Sequence, residues 1–294
     1  MLHLAPGDPV SVILSAKAVA YTEEDVIALR QELGLDRPLV VQYLTWAGDA
    51  LRGDLGTSLY MRREIGPLLV ERMIATGILA AGALLFALPV GILTGVASSL
   101  LRGTVWDRLI NIVVVMGVAL PVFALGLLLI VIFGAELKWL PVSGMSSIGG
   151  GGFFDRLKHL ILPAIALGVG PAAILARLTR SAMLEVQSED YVRTARAKGL
   201  REGAVTWRHT FRNVLIPVVT VIGLQVGFLL GGAVLVEVVF GWPGMGQLII
   251  NGILQRDFPV VQAAVLAVAL AYVFVNLLVD VLYAVIDPRI RYDG

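Results

Sequence analysis

The sequence predicts an all-α integral membrane protein with five visible transmembrane helices, and three observations predict it. Hydrophobic residues fill 57% of the 294 positions and charged residues only 15%, where a soluble domain carries about 25% charge. Several apolar stretches long enough to cross a bilayer run without a single Asp, Glu, Lys or Arg. The Lys and Arg residues gather instead in the loops, most densely in one of them. Mean hydropathy is +0.85. The absence of cysteine excludes disulfides, thiolate metal sites and cysteine nucleophiles. A net charge of +1 gives no pointer to nucleic acid.

Residues 1–72 differ in kind from the rest, with seven Lys or Arg, ten Asp or Glu, and no apolar run long enough to span. Leu4-Ala5-Pro6-Gly7-Asp8-Pro9 reads as a rigid turn. Thr22 caps a helix through about Leu33, with Glu23, Glu24 and Asp25 in its first turn and Gly34 as its stop. Asp36-Arg37-Pro38 opens a second short helix through Tyr43 and Trp46. Gly53-Asp54-Leu55-Gly56 is a turn, and Ile65 to Arg72 leads into the first span. Residues 73–294 then form the transmembrane domain.

Met73 to Leu101 is uncharged over 29 positions, about 43 Å as helix, enough to cross a ~30 Å core with tilt. Leu109 to Ala135 is the second span, also uncharged. His159 to Ala176 is the third and least obvious, with Pro163 and Pro171 inside it. Val214 to Val236 is interrupted only by Thr220 and Gln225, and Phe258 to Val279 is the last, closed by Asp280. Arg177 to Arg212 holds eight Lys or Arg, against three in Glu136 to Lys158 and one in Glu237 to Phe258. Positive-inside counting therefore places the Arg177–Arg212 loop in the cytoplasm, together with Arg102, Arg108, Arg289 and Arg291, and residues 1–72 outside.

Within that loop, Ser188 is positioned to cap a helix, with Glu189 and Asp190 in its first turn where the macrodipole favours acids. Arg193, Arg196 and Lys198 follow, and Gly199 sits where a left-handed stop belongs. A second short helix restarts near Arg201, with Ala204, Trp207, Phe211 and Val214 as its apolar stripe. Two short helices broken at a glycine and pinned by spans at both ends make a protrusion suited to docking.

Catalytic chemistry has no foothold. Lys17, Lys138, Lys158 and Lys198 all lack the glycine-rich context of a phosphate loop, so the chain supplies no ATP site. His3, His159 and His209 are too far apart in sequence to pair on one helical turn as zinc ligands. Ser98, Ser99 and Ser181 lack a nucleophile-elbow setting. The spans hold no acid at mid-depth, as a proton- or sodium-coupled carrier would require; Asp280 lies at a helix end, placed to pair with Arg289 or Arg291. Gln225 and Asn276 are uncharged polar groups inside spans, candidates for lining a substrate path, although interhelical hydrogen bonding is the commoner use.

Asp190, Tyr191, Arg193, Thr194, Ala195, Arg196, Ala197, Lys198, Gly199 and Leu200 resemble the DYxRTARAKGL-like run in the cytoplasmic coupling loop of ABC-importer permeases of the dipeptide, oligopeptide and nickel branch. Leu215-Ile216-Pro217 stands later than the general loop motif of that family places its LP, a branch feature. The LAPGDP-like and GDLG-S-like strings in residues 1–72, Glu237 to Ala263, and Asn276 to Asp280 with Asp287 to Arg291 are similar to the same family.

The resemblance implies a type I importer permease fold, with six spans in the family and a coupling loop over 177–213. This chain is therefore expected to lack the family's first transmembrane helix, through a late start or truncation. It also implies a bacterial or archaeal inner-membrane subunit with a cytoplasmic C-terminus. Its partners would be a homologous second permease, two ATP-binding subunits holding ATP and Mg, and an extracytoplasmic solute-binding protein, with no cofactor on this chain. Ala195 and Gly199 are the expected contact positions, a small residue for close approach and a glycine for the turn, with charged contacts from Arg193, Arg196 and Lys198. The cargo is a di- or oligopeptide; nickel chelate, glutathione or an oligosaccharide are the alternatives within the class. From another class, a stand-alone channel or secondary carrier would work without an ATPase, and a lipid-binding scaffold would depend on the arginines.

Overall fold

A computed structural model describes residues 36–286, together with 22, 24, 26 and 27. Among the described residues the regular structure is helical, apart from one isolated bridge pairing Thr57 with Glu64. The helices are α1 (Leu39–Leu51), α2 (Ile65–Leu100), α3 (Val105–Ala119), α4 (Val122–Leu129), α5 (Phe153–Gln187), α6 (Asp190–Ala197), α7 (Phe211–Val239), α8 (Met245–Leu254) and α9 (Phe258–Ile286). Two π-helical segments, Ile130–Glu136 and Val205–Thr210, continue α4 and precede α7. Most of the expected Thr22–Leu33 helix, the Leu4–Pro9 turn and the residues after Ile286 lie outside the described residues. So do His3, Arg289 and Arg291.

Among the described residues three helices (α2, α5 and α9) are long and apolar enough to cross a membrane, and five if each of two bent pairs is one span. The first span begins earlier than its uncharged run: Ile65 to Arg72 is part of α2, not a lead-in. The third, expected as a short stretch, is a continuous 35-residue helix with Pro163 and Pro171 inside it. It is also the most enclosed of the three. The second departs most from expectation. Leu109 to Ala135 is no straight span but two helices bent by 107°. Leu120 is extended (ψ 126°) and Pro121 starts the next helix, because a proline ring pushes the residue before it out of the α region. The fourth bends by 46° at Pro217, a proline inside α7.

The chain divides into two compact units, Met1–Ala75 with Pro243–Leu270, and Thr76–Trp242 with Ala271–Gly294. In the first, Ile65, Leu68 and Leu69 of α2 pack with Met245 and Leu248 of α8 and Val260, Ala263 and Ala264 of α9. Asp257, ahead of α9 and 1% exposed, accepts from Ser58 Oγ at 2.5 Å and from the N–H groups of Leu59 and Tyr60 at 3.2 Å. One carboxylate thus holds the turn that follows Gly56. The stretch after Gly244 enters helix α8 at Met245.

In the second unit, α5 is the central element, touching α3, α4 and α7. Glycines let α2 approach it closely. A Cβ added at Gly91 would lie 2.7 Å from the Ala172 carbonyl oxygen, and one at Gly95 would lie 2.6 Å from both the Ala176 carbonyl oxygen and Thr179 Cβ. On the α5 side, one added at Gly168 would lie 2.8 Å from the Ala83 carbonyl oxygen. Gly91 and Gly95, four apart, are the small-xxx-small pattern by which membrane helices bring their backbones together. Below that crossing Val96, Leu175, Ala182, Met183, Val214 and Val218 form an apolar layer joining α2, α5 and α7. Glu237, fully buried near the far end of α7, accepts from Thr76 Oγ1 at 2.6 Å.

Candidate functional site

The basic segment begins where α5 ends. Ser188 does not cap α6 as expected; it closes α5, in the αR conformation, with its hydroxyl donating to the Glu185 carbonyl at 2.7 Å. Glu189, extended, is the residue before α6 and makes no side-chain cap. Only Ser188 and Glu189 separate the two helices, and Ser188 is already engaged at the end of α5.

Helix α6 has an inside and an outside. Val192 and Ala195, three residues apart, are buried against Val205 and Val186. Asp190, Tyr191, Arg193, Thr194, Arg196 and Lys198 are exposed. Ala195 is therefore not on the outer face: it is 6% exposed, and its small side chain lets α6 lie close on this chain's own π-helical segment. Gly199 has φ +76° and nothing within 4 Å of the Cβ it lacks, so its role is the left-handed turn. Its N–H donates to the Arg196 carbonyl at 2.9 Å, and the Leu200 N–H to that of Ala195 at 3.4 Å.

Side chains tie the loop to itself. Arg196 Nε donates to Glu202 Oε1 at 3.0 Å across the Gly199 turn, and Arg193 pairs with Asp190 at 3.5 Å. Thr194 Oγ1 donates to the Asp190 carbonyl at 2.9 Å. Asn213 Nδ2, on α7, donates to the Tyr191 hydroxyl at 2.8 Å. Exposed ion pairs contribute little individually; their use here is to hold a short helix in one pose.

The second helix of the loop is not a separate short helix. One α turn, Glu202–Ala204, passes into the π-helical segment and then without a break into α7. The π turn changes which residues face inward: Val205, Thr206, Thr210, Val214 and Val218 are buried, while Ala204 and Trp207 are exposed. Trp207 stacks edge-on against Phe211, with ring centroids 5.1 Å apart. A stripe drawn with α spacing fails because each π turn holds more than 3.6 residues.

Gln225 is buried in α7 and Asn276 half-buried in α9. A Cβ added at Gly227 would meet Asn276 Oδ1 at 3.3 Å and Tyr272 Cε2 at 3.2 Å, so the two helices touch there. The structure does not bring Gln225 or Asn276 together with the α6 loop. Among the described residues no group of three or more His, Asp or Glu is placed to hold a metal ion.

One buried polar cluster was not anticipated from the sequence. Arg180, near the end of α5, donates from Nη2 to Asp107 Oδ2 at 2.9 Å and from Nε to Asp107 Oδ1 at 3.1 Å and Ser98 Oγ at 3.0 Å. Asp107 also accepts from Ser98 Oγ at 2.6 Å, Asn111 Nδ2 at 2.7 Å and the Gly103 N–H at 3.2 Å. Ser98 and Asp107 are buried. The cluster joins the end of α2, the start of α3 and the last turns of α5. The one available sign was Thr104 with Asp107 three residues on, a helix-start pattern, and the Thr104 Oγ1 does accept from the Asp107 N–H at 3.3 Å.

The fold is that of ABC-transporter membrane subunits. The inward-facing MetNI methionine ABC transporter aligns with a TM-score of 0.61 over 75% of this chain and 96% of that one, at 17% identity. An amino-acid ABC transporter solved with histidines aligns at 0.53 over 76% of this chain and 94% of that one, at 16% identity.

Residues 87–292 match the family described as the binding-protein-dependent transport system inner membrane component, and the chain belongs to that family. A putative peptide permease protein of Brucella suis is 44% identical over 99% of this chain and 92% of its own length. A glutathione transport system permease protein of Salmonella paratyphi A is 46% identical over 99% and 91%. A di/tripeptide transport system permease protein of Pseudomonas aeruginosa is 45% identical over 99% and 92%. The chain is thus a multi-pass membrane permease subunit of a binding-protein-dependent importer.

Proposed function

We propose that this permease carries di- or oligopeptides inward by alternating access, driven by ATP hydrolysed on separate subunits. It forms half of a pore with a homologous second permease. Two ATP-binding subunits on the cytoplasmic side grip α6, and an extracytoplasmic solute-binding protein delivers the cargo. The C-terminus lies in the cytoplasm with the α6 loop. The single observation that carries this reading is the construction of α6: a short helix seated by Val192 and Ala195, with its charged face turned outward and α5 and α7 leading from its two ends. A push on that face reaches two long helices at once. The peptide cargo rests on the names of the relatives, and the glutathione permease fits the same cargo class, since glutathione is a tripeptide.

The test is uptake of a labelled dipeptide by proteoliposomes holding this chain, its sister permease, the ATPases and the binding protein. ATP-dependent uptake is expected, and uptake by this chain alone would overturn the reading. Gly199 refines it. Gly199→Asn, whose side chain tolerates the left-handed region, is expected to retain most uptake, and Gly199→Val to lose most of it. Left-handed backbone costs an ordinary residue roughly 1–2 kcal/mol, and more for a β-branched one. Equal uptake by the two variants would show that the turn is not what Gly199 supplies.

A further inference from the structure

We propose that Arg180 and Asp107 are a positioning pair that makes α2 and α3 move with the coupling helix, so that without it ATP is hydrolysed but solute moves poorly. The proposal rests on the functional reading above and goes further by naming the joint through which movement spreads. Arg180 stands seven residues before the end of α5 at Gln187, about 10 Å along the helix, and α6 begins three residues after that end. Whatever displaces α6 displaces this part of α5.

The close crossing at Gly91 and Gly95 already ties α2 to α5; two further kinds of contact are available to pass that displacement on towards α3. The apolar layer of Val96, Met183 and Val214 is held by a non-directional attraction, which sets no angle between the helices. The guanidinium fork is directional. Its planar donors meet both oxygens of one carboxylate, a geometry that fixes angle as well as distance. Asp107 accepts five hydrogen bonds in all, from Ser98, Gly103, Asn111 and twice from Arg180. The turn between α2 and α3 is therefore held as one body by the group that α5 grips.

With Arg180 28% and Asp107 8% exposed, the pair is partly open to solvent, where an ion pair adds only modestly to stability; what it supplies is fixed geometry. At the same end of these helices Thr179 and Thr210 are fully buried and their hydroxyls have no partner. Unsatisfied buried hydroxyls are disfavoured.

The experiment uses the complete transporter in proteoliposomes and reads ATP hydrolysed per solute imported, alongside the amount of assembled complex. Arg180→Met and Asp107→Asn are expected to raise that ratio tenfold or more. Arg180→Lys, which keeps the charge but not the fork, is expected to raise it by a smaller factor. The exchange of both residues, R180D with D107R, is expected to bring the ratio part of the way back. An unchanged ratio in Arg180→Met overturns the proposal. If that variant does not assemble, Arg180→Lys decides: a raised ratio supports the pair's role and a wild-type ratio overturns it. Absence of ATP-driven uptake in the wild-type complex is instead a failure of the functional reading, and is seen before any variant is compared.

Discussion

Ala195→Asp is expected to abolish at least nine-tenths of ATP-driven uptake while the protein still reaches the membrane and the ATPases still turn over. The physical reason is burial. Ala195 lies against Val192, Val205 and Val186, and a carboxylate there is a charge with no partner, which burial penalises heavily. A helix of eight residues has no stability of its own, so α6 keeps its pose only through this contact and the bonds around it. A loss of about 1.4 kcal/mol in docking already lowers the docked fraction tenfold relative to the undocked one. Limited trypsin digestion of the purified variant reads the same event directly. Cleavage after Arg193 and Arg196 should rise well above wild type. Wild-type uptake with an unchanged digestion pattern would show that the seat of α6 does not depend on Ala195.

The same chemical change at two glycines of α2 is expected to destabilise at one and not at the other. Gly95→Ala puts a Cβ 2.6 Å from the Ala176 carbonyl oxygen and from Thr179 Cβ. Neither can yield without moving α5. Overpacking of this kind costs roughly 1–3 kcal/mol, enough to deplete the folded protein recovered from membranes. Gly77→Ala adds a Cβ with nothing within 4 Å, on the exposed side of the helix. There the gain in helix propensity, about 0.5–1 kcal/mol, is the main effect. Thermal stability of the detergent-purified chain should fall for Gly95→Ala and stay level or rise for Gly77→Ala. Equal shifts in the two would contradict the close crossing of α2 and α5.

Much of this architecture was legible in the sequence because membrane crossing imposes long uncharged runs. Helices α2, α7 and α9 announce themselves that way, α5 only over its central His159–Ala176 stretch, and Gly199 announces the turn after α6 by being the residue that accepts φ +76°. The bend at Pro121 was legible too, had the restriction on Leu120 been weighed against the uncharged run around it. The inward face of α6 follows from Val192 and Ala195 being spaced three apart on an otherwise charged helix. Attention to small size alone turned Ala195 the wrong way. The π-helical segment has no comparable signature, since nothing in Val205-Thr206-Trp207-Arg208-His209-Thr210 separates a wide turn from an ordinary one. The Arg180–Asp107 pair was out of reach for a different reason. Its members lie 73 residues apart, and on a chain rich in loop arginines each reads alone as one more charge at a helix end.

The central claim is that the outer face of α6 meets a motor inside the cell. The native chain has no cysteine, so a single Arg193→Cys substitution gives one thiol on that face. Intact spheroplasts carrying this variant would be treated with a membrane-impermeant maleimide, with and without permeabilisation, and with the ATPase subunits present or stripped away. No labelling before permeabilisation, labelling afterwards, and protection by bound ATPase subunits are predicted. Labelling of Cys-substituted position 193 from outside intact cells would contradict the account.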